Sequence, residues 1–226
     1  RSAQMTPIIK ICGLSTPATL DAALDAGADM VGFVFFPKSP RHVDWAVASD
    51  LGQRARGRAK VAALSVDADD ETLKRIIDAL APDLLQLHGS ETPARVKRTG
   101  ERFARPTMKA IGVATRDDLA QAEAYAGAAD YLLIDAKPPK GAALPGGNGR
   151  PFDWSLTQAF RPSVPWLLSG GLDPATVEAA IALSGARGVD VSSGVESAPG
   201  VKDEARIRAF VAAARRAFAR NAVGVG

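Results

Sequence analysis

The chain has 226 residues, of which 46% are hydrophobic and 23% are charged, the ordinary composition of one globular domain. Its 28 basic and 25 acidic side chains leave a net charge of +3, and the arginine-rich run at residues 54–58 has no interleaved aromatics. This balance disfavours a nucleic-acid partner and weakly suits a small anionic substrate.

Cysteine content and hydropathy further limit the kind of protein and the compartment in which it is expected. The single cysteine excludes an intrachain disulfide and a cysteine-rich metal site, and it fits a reducing compartment. No apolar stretch reaches the roughly 18–20 residues of a membrane-spanning helix, and the first five residues have no apolar signal-peptide core. We therefore expect a cytoplasmic protein without a membrane partner.

Short runs rich in Val, Ile, Leu or Phe alternate along the chain with segments of helical spacing. Each run is closed by Gly, Pro, Ser or Asp, as is typical of buried parallel strands. The first predicted helix, at residues 16–27, begins at a Thr that can cap it and has Pro17 in its first turn. The predicted strands are residues 8–11, 31–36, 60–66, 84–87, 107–113, 131–135, 166–169 and 188–192. Further predicted helices are residues 69–80, 116–125, 174–183 and 203–218, with a weak one near 155–160.

Eight strands alternating with about eight helices predict a single (β/α)₈ TIM barrel. The missing dinucleotide-binding fingerprint argues against the alternative, an open doubly wound sheet. We expect the barrel at residues 8–220, a disordered extension at residues 1–7 and a tail at residues 221–226. A connection rich in Pro and Gly at residues 136–151 follows the sixth strand, which places it at the barrel end where active sites are built.

Two chemically active side chains close predicted strands. Cys12 ends the first strand, and Gly13 lets the backbone turn away at once. A lone cysteine is usually a small buried residue, but at a strand tip near Lys10 its thiol can serve as a base. Asp135 ends the sixth strand with no helix directly after it, so helix capping explains it poorly. A carboxyl on an apolar floor suits general acid chemistry instead.

Glycine-containing turns follow the seventh and eighth strands, at residues 169–172 and 190–196. Backbone N–H groups in such turns bind phosphate, and this is the usual phosphate site of a barrel, although Gly-Gly alone also fits an ordinary turn. Arg41, in a loop stiffened by two prolines, is either a surface residue or a bidentate ligand of a carboxylate. His88 is a polar contact or a metal ligand, but two histidines in all disfavour a histidine-based metal centre.

Six segments taken together resemble the phosphoribosylanthranilate isomerase family of tryptophan biosynthesis. The match runs in order from Ile8 to about Phe210, which is nearly the full chain, and the first and last segments are specific in combination. In one-letter code they are KICGL from residue 10, VGFVFFPKSPR from residue 31, QLHG from residue 86, FDW from residue 152, SGGL from residue 169 and DVSSGVE from residue 190.

The resemblance implies a role for each candidate residue. Cys12 would be the general base, Asp135 the general acid and Arg41 the residue that holds an anthranilate carboxylate. The sequence departs from the family at Ala136, where a Thr is common, so the acid has no hydroxyl neighbour there. The phosphate-binding turns would contain Gly170, Gly171, Ser193 and Gly194. The substrate pocket would also contain His88 and Asp190.

The implied reaction converts N-(5-phosphoribosyl)anthranilate to 1-(2-carboxyphenylamino)-1-deoxyribulose 5-phosphate by an Amadori rearrangement. One acid opens the sugar ring and one base removes a proton from the adjacent carbon, while the substrate amine serves as the electron sink. We therefore expect no metal and no organic cofactor. The expected partner is this small phosphoribosyl substrate, bound by a monomer or a homodimer.

Four alternative functions remain. The histidine-pathway sugar isomerase performs the same rearrangement with an Asp pair, and Cys12 argues against it and against a dual-substrate isomerase. A metal-dependent pentose-phosphate epimerase needs more His and acidic ligands than this chain supplies. A non-catalytic binder of phosphoribosyl ligands would not require both an acid and a base.

Overall fold

The structure, a computed structural model, describes residues 6–138, 141–142, 144–146 and 152–223. Eight parallel strands form a closed barrel in sequential order, and the last strand pairs with the first. This confirms the predicted (β/α)₈ barrel, and each strand boundary lies within one residue of its prediction. The strands are β1 Ile8–Cys12, β2 Met30–Phe35, β3 Lys60–Ser65, β4 Leu84–Leu87, β5 Thr107–Val113, β6 Tyr131–Ala136, β7 Trp166–Leu168 and β8 Gly188–Val191.

The α-helices connect successive strands and cover the outside of the barrel. They are α1 Pro17–Asp25, α2 Trp45–Ala55, α3 Asp70–Leu80, α4 Pro93–Phe103, α5 Arg116–Glu123, α6 Val177–Ser184 and α7 Glu204–Val223. Each of the first five begins after a Thr or Asp whose side chain accepts a backbone N–H of the first turn. Such a cap satisfies a donor that the helix start would otherwise leave unpaired. The capping residues are Thr16, Asp44, Asp69, Thr92 and Thr115.

Successive side chains of each strand point alternately to the barrel axis and to the surrounding helices. Ile9 and Ile11 of β1 belong to the large core between strands and helices, together with Leu20 of α1 and Phe210 of α7. Aliphatic side chains fill the axis at the end where the strands begin: Met30, Ala62, Leu84, Met108, Leu133 and Leu167. Towards the carboxyl ends of the strands, the inward positions become polar and frame a pocket.

The sixth helical segment is shorter and tighter than the helix predicted near residues 155–160. It is a 3-10 helix at Trp154–Thr157, and the side chain of Asp153 accepts the N–H of Ser155 at 3.0 Å. Pro162 and Pro165 follow closely, and each proline lacks the N–H that a continuing helix would need.

The connection after β8 contains elements that the sequence pattern did not predict. A short 3-10 helix, Ser193–Val195, leads into an antiparallel hairpin of β9 Glu196–Ala198 and β10 Val201–Lys202. Helix α7 then runs to Val223, into the segment expected as a tail. Residues 1–5 and 224–226, and parts of the predicted 136–151 connection, lie outside the described residues. Within the part of the chain that is described, none of the helices has the length and apolar character to span a bilayer.

Candidate active site

A pocket of about 830 Å³, counted to its open mouth, lies at the carboxyl ends of the barrel strands. It is the end of the barrel at which the sequence places the active site. Of the nine residues predicted to bind or react with a substrate, eight line this pocket: Cys12, Arg41, His88, Asp135, Gly170, Gly171, Asp190 and Ser193. Residues from distant parts of the chain are thus brought to one place.

Cys12 closes β1 with its thiol against an apolar wall. The residue is 3% exposed and packs with Val34 of β2 and Leu64 of β3. The backbone then leaves the strand at Gly13, whose φ of +77° is one that residues with a side chain rarely adopt. The thiol therefore lies at the strand tip, on the pocket wall, as the sequence predicts.

A buried polar network lies beside Cys12. Nζ of the fully buried Lys10 donates to Oδ1 of Asp190 at 2.7 Å, and Oγ of Ser169 donates to Oδ2 of Asp190 at 3.0 Å. Burial lowers the pKa of Lys10, but the charges of Asp190 and Cys12 outweigh burial, and the pKa lies above its usual value. Asp190 therefore holds a protonated Lys10 next to the thiol. The sequence predicted that Asp190 lies in the substrate pocket, but it did not predict this contact with Lys10.

Asp135 is the penultimate residue of β6, three strands away from β1 around the barrel. Its Oδ1 accepts the N–H of Ala136 at 2.8 Å, and its Oδ2 lies 3.6 Å from Nε2 of His88. On the other side of the imidazole, Nε2 of Gln86 lies 3.4 Å from Nδ1 of His88. The side chain is 8% exposed and lines the pocket, which suits proton exchange with a bound substrate.

The guanidinium of Arg41 is held by a carboxylate that had no predicted role. Nε and Nη2 of Arg41 donate to the two oxygens of Glu196 at 2.7 and 2.9 Å. Nζ of Lys202 donates to the same carboxylate at 2.7 Å. Glu196 belongs to the DVSSGVE motif, which could have drawn attention to it, whereas Lys202 lies in the unpredicted hairpin.

The two glycine-containing turns lie side by side at the pocket. Gly170 and Gly171 adopt φ values of +84° and +70°, which residues with a side chain rarely adopt. Ser193 begins the 3-10 helix after β8. Among the described residues, no side chain caps that helix. Before α6, by contrast, Oδ1 of Asp173 accepts the N–H groups of Ala175 and Thr176 at 2.8 Å each. The N–H groups at the start of the 3-10 helix are thus not occupied by a capping side chain, as an anion site requires.

Gly194, the ninth predicted residue, packs behind the wall of the pocket. A Cβ at this position would lie 1.9 Å from the carbonyl oxygen of Leu172, so only glycine allows the β7 and β8 turns to pack together. Gly194 therefore shapes the two turns from behind, and its contact with a phosphate stays a prediction.

The sequence of the chain matches the family model described as N-(5'-phosphoribosyl)anthranilate (PRA) isomerase over residues 9–213. It is 60% identical over 213 residues to the N-(5'-phosphoribosyl)anthranilate isomerase of Nitrobacter hamburgensis, covering 94% of this chain and 95% of the relative. The chain belongs to the phosphoribosylanthranilate isomerase family. The family member from Bradyrhizobium diazoefficiens is 56% identical over 211 residues, with 93% of this chain and 95% of the relative covered.

Solved structures of the family share the fold of this chain. The phosphoribosylanthranilate isomerase of Thermotoga maritima is 33% identical and has a TM-score of 0.84, covering 94% of this chain and 100% of the other. Another isomerase structure, 31% identical with a TM-score of 0.81 and the same coverage, contains reduced 1-(o-carboxyphenylamino)-1-deoxyribulose 5-phosphate. The resemblance seen in the six sequence segments is confirmed.

Proposed function

We propose that this chain converts N-(5'-phosphoribosyl)anthranilate to 1-(2-carboxyphenylamino)-1-deoxyribulose 5-phosphate in tryptophan biosynthesis. Relatives that are 55–60% identical over nearly the whole chain are named for this isomerase activity. The observation that carries the proposal is that one pocket is lined by both Cys12 and Asp135, the base and the acid that an Amadori rearrangement needs.

In this mechanism the two residues act in turn. Asp135 donates a proton to the furanose ring oxygen, and the ring opens to a protonated imine. Cys12 then removes the proton from C2 of the sugar, and the electron pair moves to the nitrogen to give an enolamine. Protonation at C1 and loss of the hydroxyl proton at C2 complete the amino-ketose. Each proton transfer contributes typically about 10²–10⁴-fold to such a rate.

The substrate carries two anionic ends, and the pocket offers a group for each. Arg41 supports binding of the anthranilate carboxylate, and the turns at Gly170, Gly171 and Ser193 support binding of the phosphate. Anchoring both ends would hold the sugar between Cys12 and Asp135. Such positioning can contribute as much as the acid and the base themselves.

We further expect the chain to act in the cytoplasm, as a monomer or as a homodimer. The second form is supported by a structure of monomers generated from the dimeric isomerase of Thermotoga maritima, 31% identical to this chain.

Turnover of purified protein tests the proposal most directly. The anthranilate-type fluorescence of N-(5'-phosphoribosyl)anthranilate should disappear as the rearranged product forms, and the same rate should be seen with a chelator present. The histidine-pathway substrate, assayed side by side, should not turn over because its isomerase uses an Asp pair. Turnover of that substrate alone would overturn the assignment, and loss of activity with the chelator would favour a metal-dependent enzyme.

A further inference from the structure

A buried cluster of three charged side chains lies directly behind the pocket. Glu196 of β9 accepts two hydrogen bonds from Arg41, in the loop after β2, and Gly200 N–H also donates to its carboxylate at 3.2 Å. The Arg41 and Glu196 side chains are 8% and 4% exposed. A bidentate pair of this kind fixes the plane of the guanidinium as well as its position.

Lys202 of β10 connects this pair to the next turn of the pocket wall. Its Nζ, in a side chain only 1% exposed, donates to Glu196 Oε1 at 2.7 Å. The same ammonium donates to the carbonyl and to Oγ of Ser192, at 2.9 and 3.1 Å. Ser192 lines the pocket next to Ser193, so Lys202 ties the turn after β8 to the group that holds Arg41.

The cluster contains two positive charges and one negative charge. Burial raises the pKa of Glu196, but Arg41 and Lys202 outweigh burial, and the pKa lies below its usual value. Burial lowers the pKa of Lys202, and the charge of Arg41 adds to this effect. Glu196 opposes both, but the pKa of Lys202 still lies below its usual value. With Glu196 alone, the charge of Arg41 would be cancelled, and Lys202 restores a positive balance beside the pocket.

We propose that Glu196 and Lys202 are positioning residues for the two anionic ends of the substrate, a role that rests on the proposed function. Glu196 fixes the guanidinium of Arg41 for the carboxylate. Lys202 fixes the Ser192 turn beside the predicted phosphate site and keeps the cluster positive. The cluster thus couples the two anion-binding groups of the pocket, although Glu196 and Lys202 do not line it.

The sign of one substitution separates positioning from simple electrostatics. Glu196→Gln removes a negative charge near an anionic ligand, so electrostatics alone predict tighter binding. Positioning predicts weaker binding, because the amide cannot accept the paired bonds that fix Arg41. Lys202→Met removes a positive charge and the tie to Ser192, so both effects weaken binding.

The experiment is calorimetric titration with reduced 1-(2-carboxyphenylamino)-1-deoxyribulose 5-phosphate, combined with steady-state kinetics. For Glu196→Gln and Lys202→Met, we expect Kd for this compound and KM for the substrate to rise by about ten- to a hundredfold. The value of kcat should change far less, because the two residues contribute binding shared by the ground state and the transition state.

Glu91→Gln is the matched control. Glu91 accepts from the buried Lys109 at 2.7 Å, and the two side chains are 4% and 3% exposed, so its loss should disturb folding to a similar degree. We expect this variant to retain its Kd for the compound. If all three variants lose affinity equally, or if Glu196→Gln binds as tightly as the wild type or more tightly, the inference is wrong.

A fourth variant covers a failure to fold. Should circular dichroism show that Glu196→Gln is unfolded, Glu196→Asp keeps the charge but shortens the side chain, and weaker binding is expected from it. An unchanged Kd in Glu196→Asp would then overturn the positioning role. A wild-type protein that does not bind the compound at all would instead contradict the proposed function.

Discussion

The two ends of the barrel use the same residue type in different ways. Where the strands begin, three aspartates precede even-numbered strands and accept the N–H of a residue in the preceding strand. Asp29 accepts from Ile9 at 2.7 Å, Asp83 from Val61 at 2.7 Å and Asp130 from Thr107 at 2.8 Å. These carboxylates connect loop to strand, and none of them lines the pocket at the other end of the barrel.

Where the strands end, the aspartates of β6 and β8 point into the pocket. Asp135 lies beside His88, and Asp190 holds a buried lysine near the only cysteine of the chain. A backbone N–H does not ionise, so the contact that Asp29, Asp83 and Asp130 share serves the fold. Asp135 and Asp190 instead lie beside the ionisable side chains of His88 and Lys10, and both line the pocket. The difference follows the general division of barrels into a stabilising end and a catalytic end.

The largest expected effect lies at the catalytic end. Cys12→Ala and Asp135→Asn should each lower kcat/KM by a factor of about 10²–10⁴, because each removes one proton-transfer group. Calorimetry with the reduced product analogue should show little change in Kd, and thermal unfolding should show little change in Tm. Wild-type turnover in Cys12→Ala would show that Cys12 is not the base. Wild-type turnover in Asp135→Asn would show that Asp135 is not the acid.

The strand tips could be predicted from the sequence because they follow from local pattern and topology. An apolar run ending in Cys12 or Asp135 predicts a buried strand, and parallel strands in one barrel place all such ends at the same rim. The adjacent glycines Gly170 and Gly171 likewise predicted a turn, because glycine readily adopts positive φ values and this preference is local to the residue.

The partners of those residues could not be predicted in the same way. Arg41 and Glu196 are 155 positions apart in the chain, so no local spacing reveals their contact. Lys202 lies in a hairpin whose two strands have three and two residues, too short for an alternating pattern to be recognised. The sixth helical segment was also poorly predicted, because the four residues of its 3-10 helix are too few to show a helical periodicity.

The stabilising end should respond in the opposite way to the catalytic end. Asp83→Ala leaves the N–H of the buried Val61 without its acceptor, which should cost about 1–3 kcal/mol of unfolding free energy. Urea denaturation would measure this loss, and kcat and KM should stay at wild-type values. A fall in kcat without a loss of stability would show that the two ends are not separate in role.

The smallest expected effect sharpens the comparison at the catalytic end, where Asp118 lies in the first turn of α5. Its carboxylate accepts from Lys137 at 2.6 Å and from the N–H groups of Ala114 and Thr115 at 3.0 Å each. The hydrogen bond from Lys137 is the main reason that the pKa of Asp118 is lowered from 3.8 to about 2, and the backbone donors add to it. None of these partners is a pocket residue predicted to react, so Asp118 should behave like the three aspartates at the stabilising end.

A carboxyl with a lowered pKa stabilises the fold fully above its unfolded value, and this stabilisation disappears as the pH falls through the folded value. Asp118→Asn should therefore lower the unfolding free energy by about 1–2 kcal/mol at pH 7, a range reduced because Lys137 is 54% exposed. The difference from the wild type should begin to shrink below about pH 5 and should nearly vanish only near pH 1, below both pKa values. Urea denaturation of both proteins across this range measures it. A difference in unfolding free energy that stays constant down to pH 2 would mean that the charge of Asp118 contributes nothing to stability. A loss of kcat in Asp118→Asn would instead group Asp118 with Asp135. The role of an aspartate would then depend on its end of the barrel and not on its partners.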